Sequence, residues 1–265
     1  MPLNAALRSA IMDFTSEGVI VTRRWLMNKG YSRHSIDNLV KSGQLHFLKR
    51  GVYVRGRVKV SWQSVVYSLQ SMEQLDLVIG GLSALELQGL AHYLSLSGKR
   101  TIHLYGSSKL PEWFNKVIPD VQFVRHNIDD LIEPERLISE NESSQLIQFT
   151  KQLDWKEDIE QLTVSAPARA FLEVLLEVAQ KVSFEHADQL MQGLTNLSPR
   201  SLQKLLVLCT NVKVKRLFFW FADRYRYPWL DKIDRSTIDL GKGKRMLVKG
   251  GKLDYAYQIT VPEIL

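Results

Sequence analysis

Residues 30–56 read GYSRHSIDNLVKSGQLHFLKRGVYVRG, and two different periodicities follow one another within them. Ser32 is a good helix cap, Ile36, Leu39 and Val40 fall on one face at i, i+3 and i+4, and Gly43 closes the segment. Then the period shortens to two. Leu45 and Phe47 alternate with polar neighbours, LKRG supplies a turn, and Val52 and Val54 alternate with Tyr53 and Arg55. The expectation is a helix followed by a two-stranded hairpin with Lys49 and Arg50 at its tip. Arg33, His34, Lys41, His46, Lys49, Arg50 and Arg55 stand in this stretch against a single acid, Asp37.

Upstream, Leu3, Leu7, Ala10, Ile11 and Phe14 recur at helical spacing and predict a first helix over about 3–15, ending before the TSEG turn. Thr22 is placed to cap a second helix, RRWLMNK, with Trp25 and Leu26 facing inward and Gly30 terminating it. Three short helices followed by a hairpin form the layout of a winged helix-turn-helix, whose third helix enters the DNA major groove while the wing follows the backbone. In that arrangement Arg33, His34, Ser35 and Asn38 lie where side chains reach base edges. Lys49, Arg50, Arg55, Arg23 and Arg24 are placed to neutralise phosphates, which gives affinity and salt dependence but little specificity. Ser32, Lys41 and Tyr53 complete the candidate DNA-contacting set, Tyr53 either bonding a phosphate or covering the wing. Asp37 is discordant, since a carboxylate in the groove tolerates few neighbours besides a cytosine amino group or a nearby arginine.

Beyond residue 57 the pattern becomes a mixed α/β one. LVIGG (77–81), RTIHLYG (100–106), DVQFVRH (120–126) and EQLTVS (160–165) read as strands, and SALELQGL (83–90) and PEWFNKV (111–117) as helices. The acid-rich NIDDLIEPERLISENESSQ reads as a surface loop or edge. From SAPARAFLEVLLEVAQ (165–180) onward the reading is mostly helical, with Ser165 as cap, Pro167 in the first turn, and Ala170, Phe171, Val174, Leu175 and Val178 inward. SFEHADQLMQGL, SPRSLQKLLVLCT and KVKRLFFWFADRY continue it; GKGKRMLVKGGK then forms a basic turn and strand before a terminal strand, YAYQITV. The expected class is α+β. A winged helix-turn-helix over 1–57 precedes a mixed α/β domain over 58–265 with a mostly helical C-terminal part.

Charge divides along the same lines. Residues 1–57 carry 10 Lys/Arg against 3 Asp/Glu, residues 58–199 carry 11 against 19, and residues 200–265 carry 14 against 6. Basic ends around an acidic middle point to a polyanionic partner. The 200–252 stretch, including Arg224 and Arg226 around Tyr225, suits either further phosphate contacts or an acidic protein surface. No apolar run approaches the roughly 18 residues needed to span a bilayer, and MPLNAALRSAIMDF lacks the features of a secretory signal. No membrane association and a cytoplasmic location are expected. Cys209 is the only cysteine, which leaves no disulfide framework or thiolate cluster.

Catalytic patterns are weak. Asp120, Asp154 and Lys156 have the letters of a metal-dependent nuclease core, in which two carboxylates hold Mg²⁺, yet DWKED reads as a helix start or loop rather than a strand beside Asp120. GKGKR lacks the strand, spacing and Ser/Thr of a phosphate loop. His92, His103, His126 and His186 have no metal-ligand spacing, and YGSSK is no nucleophile elbow. No catalytic residue, metal site or cofactor is expected; a nuclease targeted to DNA by a winged module is the alternative.

The helix-turn-helix ending in LKRGVYVRG, the segment LVIGGLSALELQGLAHYL and the segment LTVSAPARAFLEVLLEV together resemble the AbiEi family of antitoxins from type IV toxin-antitoxin and abortive-infection systems, over nearly the full length. The resemblance implies a winged helix-turn-helix repressor binding inverted repeats upstream of its own operon. It also implies a larger domain that counteracts a nucleotidyltransferase-like toxin, a functional partner antagonised without a stable complex. Arg169 and Glu173, one turn apart, read as an intrahelical pair rather than a site.

Overall fold

The computed structural model describes residues 15–91, 99–133, 146–156 and 160–263. The helix expected over 3–15 and His92 lie outside these residues. The remaining first-domain elements form in the anticipated places: α1 (Arg23–Asn28), α2 (Arg33–Lys41), β2 (Leu45–Lys49) and β3 (Val52–Arg55). One strand was missed by the sequence reading. β1 (Ile20–Thr22) pairs antiparallel with β3, so the wing is a three-stranded sheet of order β1-β3-β2 rather than a hairpin alone. A bulge between Phe47 and Lys49 shifts the β2–β3 register; Phe47, just before it and still opposite Tyr53, lies at the rim of the core, 63% exposed, while Leu45 on the same face is buried. Val19, Val21, Leu26, Tyr31, Ile36, Leu39, Leu45 and Tyr53 fill the small core between this sheet and the two helices.

The other edge of β1 is covered by the next helix. α3 (Trp62–Tyr67), capped by the Ser61 side chain on the Ser64 amide, runs on into a π turn, Ser68–Met72. Ser68 Oγ accepts from the Ile20 amide at 3.0 Å and Glu73 Oε1 accepts from the Thr22 hydroxyl at 2.5 Å. The Ile20 amide is thereby satisfied by a side chain, and a second side-chain bond holds the end of β1 against the same turn.

A five-stranded mixed sheet, order β6-β5-β4-β8-β7, organises the middle of the chain. Its strands are β4 (Val78–Ile79), β5 (Arg100–Tyr105), β6 (Val121–His126), β7 (Thr150–Lys156) and β8 (Glu160–Ser165). β4 pairs parallel with β8 and antiparallel with β5, β5 parallel with β6, and β7 antiparallel with β8. Two expectations are corrected here. The DWK of DWKED, read as a helix start or loop, is the end of the edge strand β7, and PEWFNKV forms only a single 3₁₀ turn, Phe114–Lys116. The start of the supposed surface loop is also internal, for Ile128, Leu131 and Ile132 are buried.

Helices α4 (Gly81–Leu87), α5 (Pro167–Glu177), α6 (Phe184–Gly193), α7 (Pro199–Leu208) and α8 (Val212–Tyr225) pack with the sheet, and a small hairpin, β9 (Lys252–Asp254) and β10 (Ile259–Val261), closes the chain. α5 is the central helix. Its Arg169 to Leu175 segment is buried without interruption, so a charged pair sits where only apolar residues normally lie. Ser165 does not cap this helix as expected; Ala166 occupies the cap position without a side-chain bond, and the Ser165 hydroxyl donates to Glu173 Oε1 at 2.9 Å. The same carboxylate accepts from Arg169 Nε at 2.8 Å and from the Gly81 amide at 2.8 Å. Burial pushes the Glu173 carboxyl up from its ordinary value, opposed by Arg169, Gly81 and Ser165.

This node explains why two glycines follow β4. A methyl group on Gly80 would stand 2.3 Å from both Glu173 Oε2 and the Tyr105 ring, and Gly81 adopts φ +53° to aim its amide at the carboxylate. LVIGG and SAPARAFLE are thus two halves of one buried polar contact. No helix among the described residues is long and apolar enough to cross a membrane.

Candidate nucleic-acid interface

α1 and α2 are held in a fixed relation by three local devices. Thr22 Oγ1 accepts from the Trp25 amide at 3.1 Å, Gly30 takes φ +90° where α1 ends, and Ser32 Oγ accepts from the Ser35 amide at 3.1 Å to start α2. Ile36 and Leu39 then face the core, which turns Arg33, His34, Asp37, Asn38 and Lys41 to the opposite side of α2. Of these, Arg33, His34, Asp37 and Lys41 are exposed and Asn38 is half-buried. A helix with a cationic, unburied face following a short helix and a glycine turn has the form that enters a major groove.

The wing continues this surface. Arg50 is exposed at the β2–β3 turn, Lys49 and Arg55 are half-buried in the flanking strands, and Arg24 is exposed on α1. The Arg23 amide donates to the Gly51 carbonyl at 2.8 Å, which fastens the start of α1 to the wing turn. Ser35 is half-buried and Ser32 exposed, their hydroxyls 2.8 Å apart.

Tyr53 is only 3% exposed, and its ring belongs to the core. Its hydroxyl oxygen accepts from Arg23 Nη2 at 2.8 Å and from Arg23 Nε at 3.3 Å. Arg23 Nη2 in turn lies 3.9 Å from Asp37 Oδ1. Proximity to Tyr53, and secondarily to Asp37, raises the guanidinium pKa further above its already high value. Arg23 therefore joins α1, the wing and α2, a role invisible in the sequence because its partners stand 30 and 14 positions away. Phe47, whose ring meets Tyr53 edge-on at 6.4 Å, and exposed Arg57 are further surface residues of this region that the sequence reading omitted. An exposed aromatic beside a basic turn was the only available signal.

Much of the second basic stretch is turned inward. Arg216 is 3% exposed and donates to the carbonyls of Leu240, Gly243 and Gln258, and Lys213 Nζ donates to those of Leu176 and Val178. Arg224 bonds Asp188 and lies over Trp220, Tyr225 donates to the same aspartate, and Arg235 pairs with Asp223. Lys242, Lys244, Arg245, Lys249 and Lys252 remain exposed between α8 and the end of β9.

The carboxylates of the nuclease alternative are separated by the fold. Asp120 immediately precedes β6 and Asp154 lies on β7, the two opposite edges of the five-stranded sheet. Four strand spacings of about 4.8 Å put them roughly 19 Å apart, whereas two oxygens on one Mg²⁺ lie within about 4 Å of each other. Asp154 instead accepts from Gln161 Nε2 at 2.8 Å. Among the described residues no three His, Cys, Asp or Glu side chains are grouped to hold a metal ion. His103 and His126 share a hydrogen bond of 2.9 Å, and burial lowers the pKa of His103 to about 4.

Comparison with known proteins agrees with this architecture. A family model described as "Transcriptional regulator, AbiEi antitoxin, Type IV TA system" matches residues 99–262, and one described as "Transcriptional regulator, AbiEi antitoxin N-terminal domain" matches residues 5–96. No curated protein matches the chain. The crystal structure of the RV2827C protein from Mycobacterium tuberculosis is similar over 91% of this chain and 85% of that one, with a TM-score of 0.51 and 16% identity, a likeness of fold.

Proposed function

The chain belongs to the AbiEi family of antitoxins and transcriptional regulators of type IV toxin-antitoxin systems, and from that premise we propose that it represses its own operon by binding inverted repeats in the DNA upstream. On this reading residues 1–57 are the DNA-binding unit. Arg33, His34, Ser35 and Asn38 read base edges, while Arg24, Lys41, Lys49, Arg50 and Arg55 contact phosphates. Ser32 fixes the start of the reading helix, and Arg23 and Tyr53 set the wing against it. The observation that carries the proposal is the exposed basic face of α2 beside a basic wing turn fastened to α1 by the Arg23–Gly51 bond.

Residues 58–265 would supply the second activity, counteracting a nucleotidyltransferase-like toxin without chemistry of their own. The two activities are separable in a cell. With a reporter driven by the sequence upstream of the gene, the wild-type chain will lower expression and the Lys49→Ala/Arg50→Ala variant will not, yet both will restore growth when the downstream toxin is expressed. Loss of both activities in the wing variant, at equal protein level, would refute the division of labour; unchanged expression with the wild-type chain would refute autorepression.

A further inference from the structure

Asp37 stands at the centre of the exposed face of α2, between His34 and Lys41 at one-turn spacings, where a negative charge opposes the approach of any phosphate. Among the described residues that carboxylate pairs with Arg23, at 3.9 Å, and 58% of the side chain is exposed. Arg23 is itself fixed. Its side chain donates twice to Tyr53, its amide donates to Gly51 at the wing turn, and Tyr53 is anchored in the small core. A surface ion pair of this length contributes at most about 1 kcal/mol to stability, so folding gives little reason to place an acid there. Recognition does. In the major groove a carboxylate finds a donor only in the amino groups of cytosine and adenine, and the adenine amino group sits beside N7, an acceptor that repels it.

We propose that Asp37 is a base-reading residue that selects cytosine in each half-site, and that Arg23, held by Tyr53, is the positioning residue that sets its carboxylate against the groove. The inference rests on the reading of residues 1–57 as the DNA-binding unit. It extends the part of Arg23, which besides holding the wing acts through Asp37, and not as the phosphate contact its charge alone suggests.

The test is selection from a randomised duplex library with the full chain, followed by titration of single labelled duplexes. Wild type will fix cytosine at one position per half-site. Asp37→Asn, which keeps the side-chain shape and replaces the acceptor pair by the amide that reads adenine, will move that position to adenine and leave the others unchanged. Affinity for the cytosine duplex will fall roughly tenfold or more. Tyr53→Phe, which removes only the hydroxyl, will blur the same position while the salt dependence of binding stays as in wild type, a readout that a lost phosphate contact would move. Arg23→Lys, whose ammonium keeps the charge but not the paired bonds to Tyr53, will blur that position as Tyr53→Phe does. An identical selected motif for wild type and Asp37→Asn overturns this inference while leaving the repressor reading intact. If wild type selects no motif at all, the repressor reading falls with it.

Discussion

Replacing Glu173 by alanine will lower the thermal unfolding midpoint by roughly 10 °C, because it removes one partner of a charge pair from which water is excluded. Glu173 is fully buried and Arg169 is 2% exposed. Three donors, the Arg169 guanidinium, the Ser165 hydroxyl and the Gly81 amide, converge on the carboxylate. Breaking such a pair costs about 3–5 kcal/mol, since the remaining guanidinium is left uncompensated. Glu173→Gln keeps the volume and the Gly81 bond but not the charge, so a calorimetric scan will place it between the alanine variant and wild type. A midpoint within about 2 °C of wild type for the alanine variant would mean that water or Leu146, whose carbonyl already accepts from Arg169 Nη1 at 3.4 Å, relieves the charge. The node would then not hold α4, β8 and α5 together.

The second large effect belongs to the wing. Lys49→Ala/Arg50→Ala will reduce the slope of log affinity against log salt by about 2, the value for two lost phosphate contacts. Extrapolated from 1 M, where the electrostatic contribution vanishes, this slope change corresponds to roughly thirtyfold weaker binding at about 0.15 M salt. The loss will be equal on the upstream duplex and on a scrambled one, because phosphates carry no sequence. Fluorescence anisotropy across a salt series separates this from base reading: a loss confined to the upstream duplex would assign the two residues to base edges instead.

The elements legible in the sequence were those fixed by their own neighbours. Thr22 and Ser32 accept from an amide three residues on, as their cap positions lead one to expect, and Ser183 and Ser198 do the same at the head of segments whose spacing is helical. Elements decided by distant partners were not legible. β1 is three residues long, too short to display an alternation, and exists because Val52, Tyr53 and Val54 pair with it from 30 to 34 residues away. β7 runs along a sheet edge with Lys151, Gln152 and Asp154 exposed, so its TKQLDWK lacks the apolar character of a central strand. Ser165 before Pro167 has the local look of a cap, but the buried Glu173 claims its hydroxyl.

The same distinction holds for the candidate interface. Exposure of Arg33, His34, Lys41 and Arg50 follows from helix and turn periodicity and was readable. The Tyr53–Arg23–Asp37 contact requires α1, the wing and α2 to be packed together, and nothing in the alternation of Leu45 and Phe47 tells that the core ends before Phe47. Charge counting likewise overstated the C-terminal stretch, since Arg216 and Lys213 spend their donors on backbone carbonyls inside the fold.

The most direct measurement is binding of the full chain to a duplex carrying the sequence upstream of its own gene, against a scrambled duplex of the same length and composition, at about 0.15 M salt. Repression through the winged unit predicts tighter binding to the upstream duplex by roughly a thousandfold or more. Equal affinity for the two, or no binding to either, would contradict it.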